Sequence, residues 1–334
     1  MRWPWSTRRN GQRLLLRRLG EQHAFVLTDG EPADGRLPQL LRWGLLDGAR
    51  PIPCGEALAL LEPSDYQIFR IDTPNVPPEE VKAAARWHIK EMVDVDVAEL
   101  TLDVMHVGGV VPRPDHIGAR QLFVVAARNS AIKTLTSAAA AIAGELHIVD
   151  IWETALRNLL TRQAGADGLA ERACAAVLID EHHCLLVICA DDELFYTRRL
   201  EGDPALLARA RGEHTDTTAA ELPLGFEYQP GVALDGSSPQ ESPLVVELQR
   251  SIDVWERSWP ALPLARLYVV TAEHGAELAA LIQRELGQRT VALDALAAFA
   301  PDAPTPEGAE ASRALAACLP LLGAALRTET RRQL

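Results

Sequence analysis

Apolar residues in this 334-residue chain follow two rhythms, and the change from one to the other marks out the elements. Short apolar runs bounded by Gly, Pro, Asp and Asn predict strands, and runs with three- and four-residue spacing predict amphipathic helices. The plainest unit is central, Gly144 to Arg162 (GELHIVDIWETALRNLLTR). A short strand over Leu146–Val149 runs directly into a helix with Trp152, Leu156, Leu159 and Leu160 on one face, while Arg157, Asn158 and Arg162 fall largely elsewhere. Asp150 and Glu153 have the spacing of a capping box. With strand patterns on both sides, the unit reads as a connector between two halves.

Ahead of it, Leu14–Leu19 and His23–Thr28 predict a hairpin around Gly20-Glu21, and 37–46 shows helical spacing. A compact β-α-β-β-α block follows: strands at Tyr66–Ile71, Leu102–Val107 and Leu122–Ala126, a helix over Pro78–Met92, and an Ala-rich helix over Ser130–Ala143. In the Pro78–Met92 helix, Val81, Ala84, Ala85, His88, Ile89 and Met92 share a face, and Trp87 lies nearly opposite. Behind the connector come a three-stranded meander (Ala175–Ile179, Leu185–Cys189, Leu194–Arg199), then helices over 203–211, 244–259, 275–286 and 307–327, with strands at 267–271 and 291–293. Pro- and Gly-rich loops are expected at 108–118, 212–243 and 298–306. Each half is a meander followed by strand–helix units, a two-fold echo in architecture without a repeat in residues.

Charge and composition narrow the function. A net charge of −13 speaks against wholesale nucleic-acid binding. The first eighteen residues are the exception, with Arg2, Arg8, Arg9, Arg13, Arg17 and Arg18, no acid, and Trp3 and Trp5, a mixture suited to a peripheral lipid contact or to a frayed tail. No apolar run reaches the length of a membrane span; Ala314–Leu326 comes nearest and contains Pro320. The five cysteines form no CxxC, and Cys184 and Cys189 should point to opposite faces of one strand. His182-His183, beside Asp180-Glu181, reads as a polar turn, and Asp191-Asp192-Glu193 as a hairpin tip. No phosphate loop, nucleophile elbow or HExxH is present.

Several phrases, in order, resemble a known family: DYQIFRIDTPNVPPEEVKAAARWHIKEMVDVDVAELTLDV, QLFVVAARNSAIKTL, HIVDIWETALRNLL and VVELQRSIDVWERS. They are similar to the MshI-type biogenesis proteins of mannose-sensitive haemagglutinin (type IV) pili, themselves related to PilM and to the cytoplasmic domain of type II secretion L proteins. The resemblance implies an α/β, two-lobed actin-like (ribonuclease-H-like) fold. Its first-lobe core would be residues 1–54 and 144–164, an inserted small α+β subdomain 55–143, and a second lobe 165–334. It implies a non-catalytic cytoplasmic assembly protein at the inner membrane, docking the N-terminal peptide of a PilN-like partner in a groove between the subdomain and the first-lobe core. Arg86 and Trp87 are the partner-binding candidates. A homodimer stays open.

In that fold, glycine-bearing hairpins grip nucleotide phosphates. Here the first, Arg17 to Gly20, lacks an aspartate; the second, Asp180-Glu181-His182, has His182 where glycine is usual. The adenosine-side loop Ala272-Glu273-His274-Gly275 keeps one glycine. Gly20, Asp180, His182, Glu273 and Gly275 therefore mark a degenerate nucleotide cleft, with no cofactor expected and weak ATP/Mg²⁺ binding left open. An ATPase or kinase on the same fold is the alternative.

Overall fold

The computed structural model describes residues 11–30, 37–48, 50–109, 120–213, 242–300 and 309–328. The tail at 1–10, most of the loops at 108–118, 212–243 and 298–306, and the last six residues lie outside the described residues.

Two five-stranded sheets share one topology. The first has the order β3-β2-β1-β4-β8 and is built from β1 (Arg13–Leu19), β2 (Gln22–Thr28), β3 (Leu40–Asp47), β4 (Glu56–Leu60) and β8 (Ile148–Asp150). The second has the order β11-β10-β9-β12-β13, from β9 (Ala173–Ile179), β10 (Cys184–Ala190), β11 (Glu193–Leu200), β12 (Leu264–Val270) and β13 (Thr290–Ala292). In each, three antiparallel strands are extended by two parallel ones. The architectural echo is thus a duplicated sheet.

Between the sheets lie α3 (Trp152–Ala166) and α7 (Ala309–Ala325), sharing one core with Leu15, Val26 and Leu58 of the first sheet and Cys174, Leu178, Val187 and Cys189 of the second. The far face of the first sheet is covered by α2 (Asn129–Ala143) through Leu135, Ala139 and Ile142. The far face of the second is covered by α4 (Pro204–Ala210), α5 (Pro243–Ser258) and α6 (Gly275–Leu286). Cys184 faces this outer core and Cys189 the inner one, as their spacing requires.

A three-stranded sheet, β5-β7-β6, forms the inserted subdomain from β5 (Tyr66–Asp72), β7 (Gln121–Arg128) and β6 (Leu100–His106). A 3₁₀ turn at Pro78–Glu80 leads into α1 (Val81–His88). That helix is shorter than expected: its core face is Ala85 with Ile89 just past its end, and His88 and Met92 are exposed.

Four expectations are corrected. Residues 37–46 hold a strand, because β2 offers an antiparallel partner along the whole length of β3, and Gly44, at φ 144°, cannot be helical. The stretch at Glu56–Leu60, taken as the start of the insertion, is β4, with Ala57 to Leu60 fully buried between β1 and β8 in the first sheet. The C-terminal helix α7 packs on α3 and the first sheet, so the chain returns to the first lobe. Asp150 and Glu153 form no capping box. Asp150 Oδ1 accepts from Ile151 N (2.9 Å) and Thr154 Oγ1 (2.5 Å), and its other oxygen takes Arg327 Nη1 at 2.8 Å, while Glu153 is buried and turned elsewhere.

Candidate functional site

The three turns singled out in the sequence sit at the ends of strands flanking the N-terminus of α3. Gly20 is in the two-residue β1–β2 turn at φ +63°, and a side chain there would meet nothing, so its backbone conformation accounts for the glycine. Asp180 and His182 are in the β9–β10 turn. Glu273 and Gly275 follow β12, whose Val270 pairs with Leu178, two residues before Asp180. His274 takes the left-handed conformation at φ 53° ahead of α6, and Gly275 sits close against Ala292 and Thr271.

The β9–β10 turn is closed on itself. Asp180 Oδ1 accepts from the backbone N–H of His182 (2.7 Å) and of His183 (2.6 Å), and His183 Nδ1 lies 3.1 Å from both carboxylate oxygens. Burial works against the charge of Asp180, but these hydrogen bonds outweigh it and hold the carboxyl below its usual range. The amides that a phosphate would need are therefore already bound to a carboxylate of the same sign.

Stacked side chains span the ground from this turn to the first lobe. The His183 ring lies 4.7 Å from that of Trp152, and the guanidinium of Arg17, on β1, lies 4.4 Å from the Trp152 ring. Arg17 is fixed by both oxygens of Glu62 (2.9 and 3.2 Å) and by the carbonyl of Ala317 (3.1 Å). Arg13 is likewise buried, with Glu56 at 2.8 Å. Two of the six arginines of the basic N-terminal stretch, read as a peripheral lipid contact or a frayed tail, thus belong to the core, since β1 places them on the face toward α7.

A second junction ties three parts of the chain together. Tyr66, at the start of the insertion, donates to Glu153 Oε2 of α3 at 2.5 Å and accepts from Trp152 N at 3.2 Å. Arg199 of β11 reaches Glu153 Oε1 (3.3 Å) and the carbonyls of Pro63 (2.5 Å) and Tyr66 (3.2 Å). Burial raises the carboxyl of Glu153, opposed by Arg199 and the Tyr66 hydrogen bond, and raises Tyr66 well above the ordinary phenol value. Further along, Gly108 N donates to Leu194 O at 2.8 Å, joining the end of β6 to β11. Trp152, His183, Tyr66, Glu153 and Arg199 were not among the site residues expected from the sequence. Only the adjacency of Trp152 and Glu153 at the start of the connector marked them.

The two faces of the small sheet differ in role. Ile71, Leu102, Leu122, Val124 and Ala126 pack under α1. Ile68, Met105 and Phe123 turn the other way, against the cores of the lobes, with Ile68, Met105 and Val125 half-buried. Arg86 is half-buried and its Nη1 donates to the carbonyls of Val97 (2.5 Å) and Leu100 (3.1 Å), tying α1 to the strand it covers. Trp87 is 69% exposed, but α1 covers the face of the sheet turned away from the lobes, so Trp87 stands outside the groove expected to hold the partner peptide. Among the described residues no cluster of His, Cys, Asp or Glu could hold a metal, and no helix is long and apolar enough to cross a membrane.

Comparison with solved structures decides the architecture. A chain of the PilM-PilN type IV pilus biogenesis complex superposes with a TM-score of 0.60 at 19% identity, over 94% of this chain and 97% of that one. The fold is the two-lobed actin-like one. In actin-like terms, the duplicated sheets are the two lobes, β5–β7 with α1 is the inserted subdomain, and α3 is the connector. The cytoplasmic domain of EpsL, an inner-membrane component of the type II secretion system of Vibrio cholerae, matches at TM-score 0.42 and 10% identity, over 96% of this chain and 97% of that one. A Bacteroides thetaiotaomicron protein with an actin-like ATPase fold matches at 0.42 and 8%, over 84% and 91%. No family model and no curated protein matches the chain.

Proposed function

We propose that this chain is a non-catalytic assembly protein of a type IV pilus machine, of the mannose-sensitive haemagglutinin kind, at the cytoplasmic face of the inner membrane. It docks a PilN-like partner through that partner's N-terminal peptide, held between the inner face of the small sheet and the first lobe. The observation that carries the reading is the likeness to a chain of the PilM-PilN complex, which runs through lobes and insertion alike. The half-buried Ile68, Met105 and Val125, with Arg70 exposed on the same face, supply apolar contact and one cation to such a groove. Support for the non-catalytic part comes from the β9–β10 turn, whose amides are taken by Asp180, and from the Arg17–Trp152–His183 stack.

The test is titration of the purified chain with synthetic N-terminal peptides of inner-membrane pilus assembly proteins. One of them should bind, and Arg70→Glu should weaken it at least tenfold. Failure of every peptide, with a clear response to ATP and Mg²⁺, would favour the ATPase alternative.

A further inference from the structure

Two of the five cysteines are neighbours across the second sheet. In the antiparallel pairing of β9 with β10, Cys174 stands directly opposite Cys189. Both side chains turn to the inner face, into the core shared with α3 and α7, and both are free thiols. The other three lie elsewhere. Cys184 is opposite Ile179 on the outer face, Cys318 is on α7 against the carbonyls of Phe25 and Gly44, and Cys54 precedes β4.

The spacing suits a bond between the two. The hydrogen bond from Asp180 N to His183 O (2.9 Å) closes the β9–β10 turn, and bonded pairs alternate along the ladder from there, so Cys174 and Cys189 form a hydrogen-bonded pair. Such pairs hold their Cα atoms about 5.5 Å apart, inside the roughly 4.4–6.8 Å that a disulfide spans. Their Cβ atoms stand wider than in a relaxed disulfide, so the bond closes under strain and is readily reduced. Cys189 has slack to give, because the β10–β11 register shifts between Ile188 and Cys189.

Both cysteines sit near the ends of their strands. Cys174 follows the exposed Glu171-Arg172 and then Ala173, and Cys189 precedes Ala190 and the exposed Asp191-Asp192 turn. Strand ends open more readily than strand centres, which gives a small oxidant access to thiols that the closed fold buries. Burial pushes Cys174 up to about 11 and Cys189 higher still, so thiolate is scarce near neutrality and the pair answers to sustained rather than brief exposure.

We propose that Cys174 and Cys189 are a reversible redox pair, oxidised by hydrogen peroxide to a cross-strand disulfide. The Cys174 thiolate attacks one peroxide oxygen, breaks the O–O bond and becomes a sulfenic acid, and the oxygen released leaves as water. The Cys189 sulfur then displaces the hydroxyl of the sulfenic acid as a second water and closes the S–S bond. Two thiols lose two electrons and two protons, and one peroxide is reduced to two waters. A thiol reductant reverses the change. The bond lies on the face that carries α3, so it stiffens the sheet where the lobes join. It does not rest on the pilus reading.

The experiment treats the folded full chain with hydrogen peroxide for several hours, caps remaining thiols with N-ethylmaleimide, and maps disulfides by proteolysis and mass spectrometry. One link should appear, between Cys174 and Cys189, and dithiothreitol should remove it. Cys174→Ala and Cys189→Ala should each abolish the link, and Cys54→Ala and Cys184→Ala should leave it. Hydrogen exchange along β9 and β10 of the wild-type chain should slow on oxidation. Two thiols that stay reduced in the folded chain, a link between other cysteines, a link that forms only in denaturant, or exchange that the link does not change would each overturn the proposal.

Discussion

The guanidinium of Arg199 lies 4.4 Å from the centre of the Tyr66 ring, and the two side chains share one buried carboxylate, Glu153. This is the point where insertion, connector and second lobe meet. It also sets a pH signature. Burial raises Glu153 above its ordinary 4.5, so the folded chain holds that proton more tightly than the unfolded chain does. Stability then falls as pH rises from about 4.5 through the raised folded value, because the folded state binds more protons over that window. In Glu153→Gln the group no longer titrates. Denaturation midpoints measured between pH 4 and 8 should show wild type losing ground to the variant as pH rises. A gap that is independent of pH would mean that Arg199 fully offsets the burial.

The Asp180 turn has the opposite sign. Its carboxyl is held below the usual 3.8, so its stabilisation is present above that pH and is lost as pH falls through the lowered folded value. Asp180→Ala strands two backbone amides and the His183 ring, a loss of about 1–3 kcal/mol near neutrality. The gap to wild type should close in strong acid. The same turn bears on nucleotide. A ligand at a hundred times its dissociation constant stabilises a fold by about 2.7 kcal/mol, so millimolar ATP with Mg²⁺ should leave the melting temperature in place. A clear upward shift, abolished by Asp180→Ala, would show that the turn opens to phosphate.

Much of the fold could be read from the chain because local rules and tertiary packing agreed. The β1–β2 hairpin, the β9–β10–β11 meander and the face of α3 with Trp152, Leu156, Leu159 and Leu160 all follow their hydrophobic spacing. The failures have a common cause. Leu40–Asp47 is rich in Leu, which favours helix, and became a strand because β2 offered a long-range partner; Glu56–Leu60, counted with the insertion, joined the first sheet because β1 did. Non-local pairing leaves no mark at short spacing. The site was legible in its turns but not in its side-chain bridges, since Arg17, Trp152 and His183 lie far apart in sequence and meet only through the packing of α3.

Gly108 tests the join between insertion and second lobe. It sits at φ +69°, and a Cβ there would come within 2.5 Å of the Phe195 ring. Gly108→Ala should cost about 1–3 kcal/mol from backbone conformation and crowding together. Hydrogen exchange should quicken at the end of β6 and along β11. Adding Phe195→Leu makes room, so the double variant should lose less than the two single losses summed. Strict additivity would mean that the ring and the glycine are not in contact.

Gly323 sets two rules against each other. It lies inside α7, where replacing glycine by alanine favours helix by about 1 kcal/mol. But α7 crosses α3 here with no room for a side chain: a Cβ on Gly323 would stand 2.1 Å from the carbonyl oxygen of Ala155 and 3.2 Å from Leu159 Cγ. The nearest obstacle is backbone within a helix, which cannot swing aside as a side chain would. The helices must separate, loosening the bond from Asn158 Nδ2 to Gly323 O (3.2 Å) and the reach of Arg327 to Asp150 (2.8 Å). Both helices belong to the core shared by the two sheets, so the strain spreads into both lobes. Overpacking of this kind costs roughly 3 kcal/mol, more than the propensity returns. Gly323→Ala should therefore lower the melting temperature, and a neutral or stabilised variant would mean that α3 and α7 are not held this close.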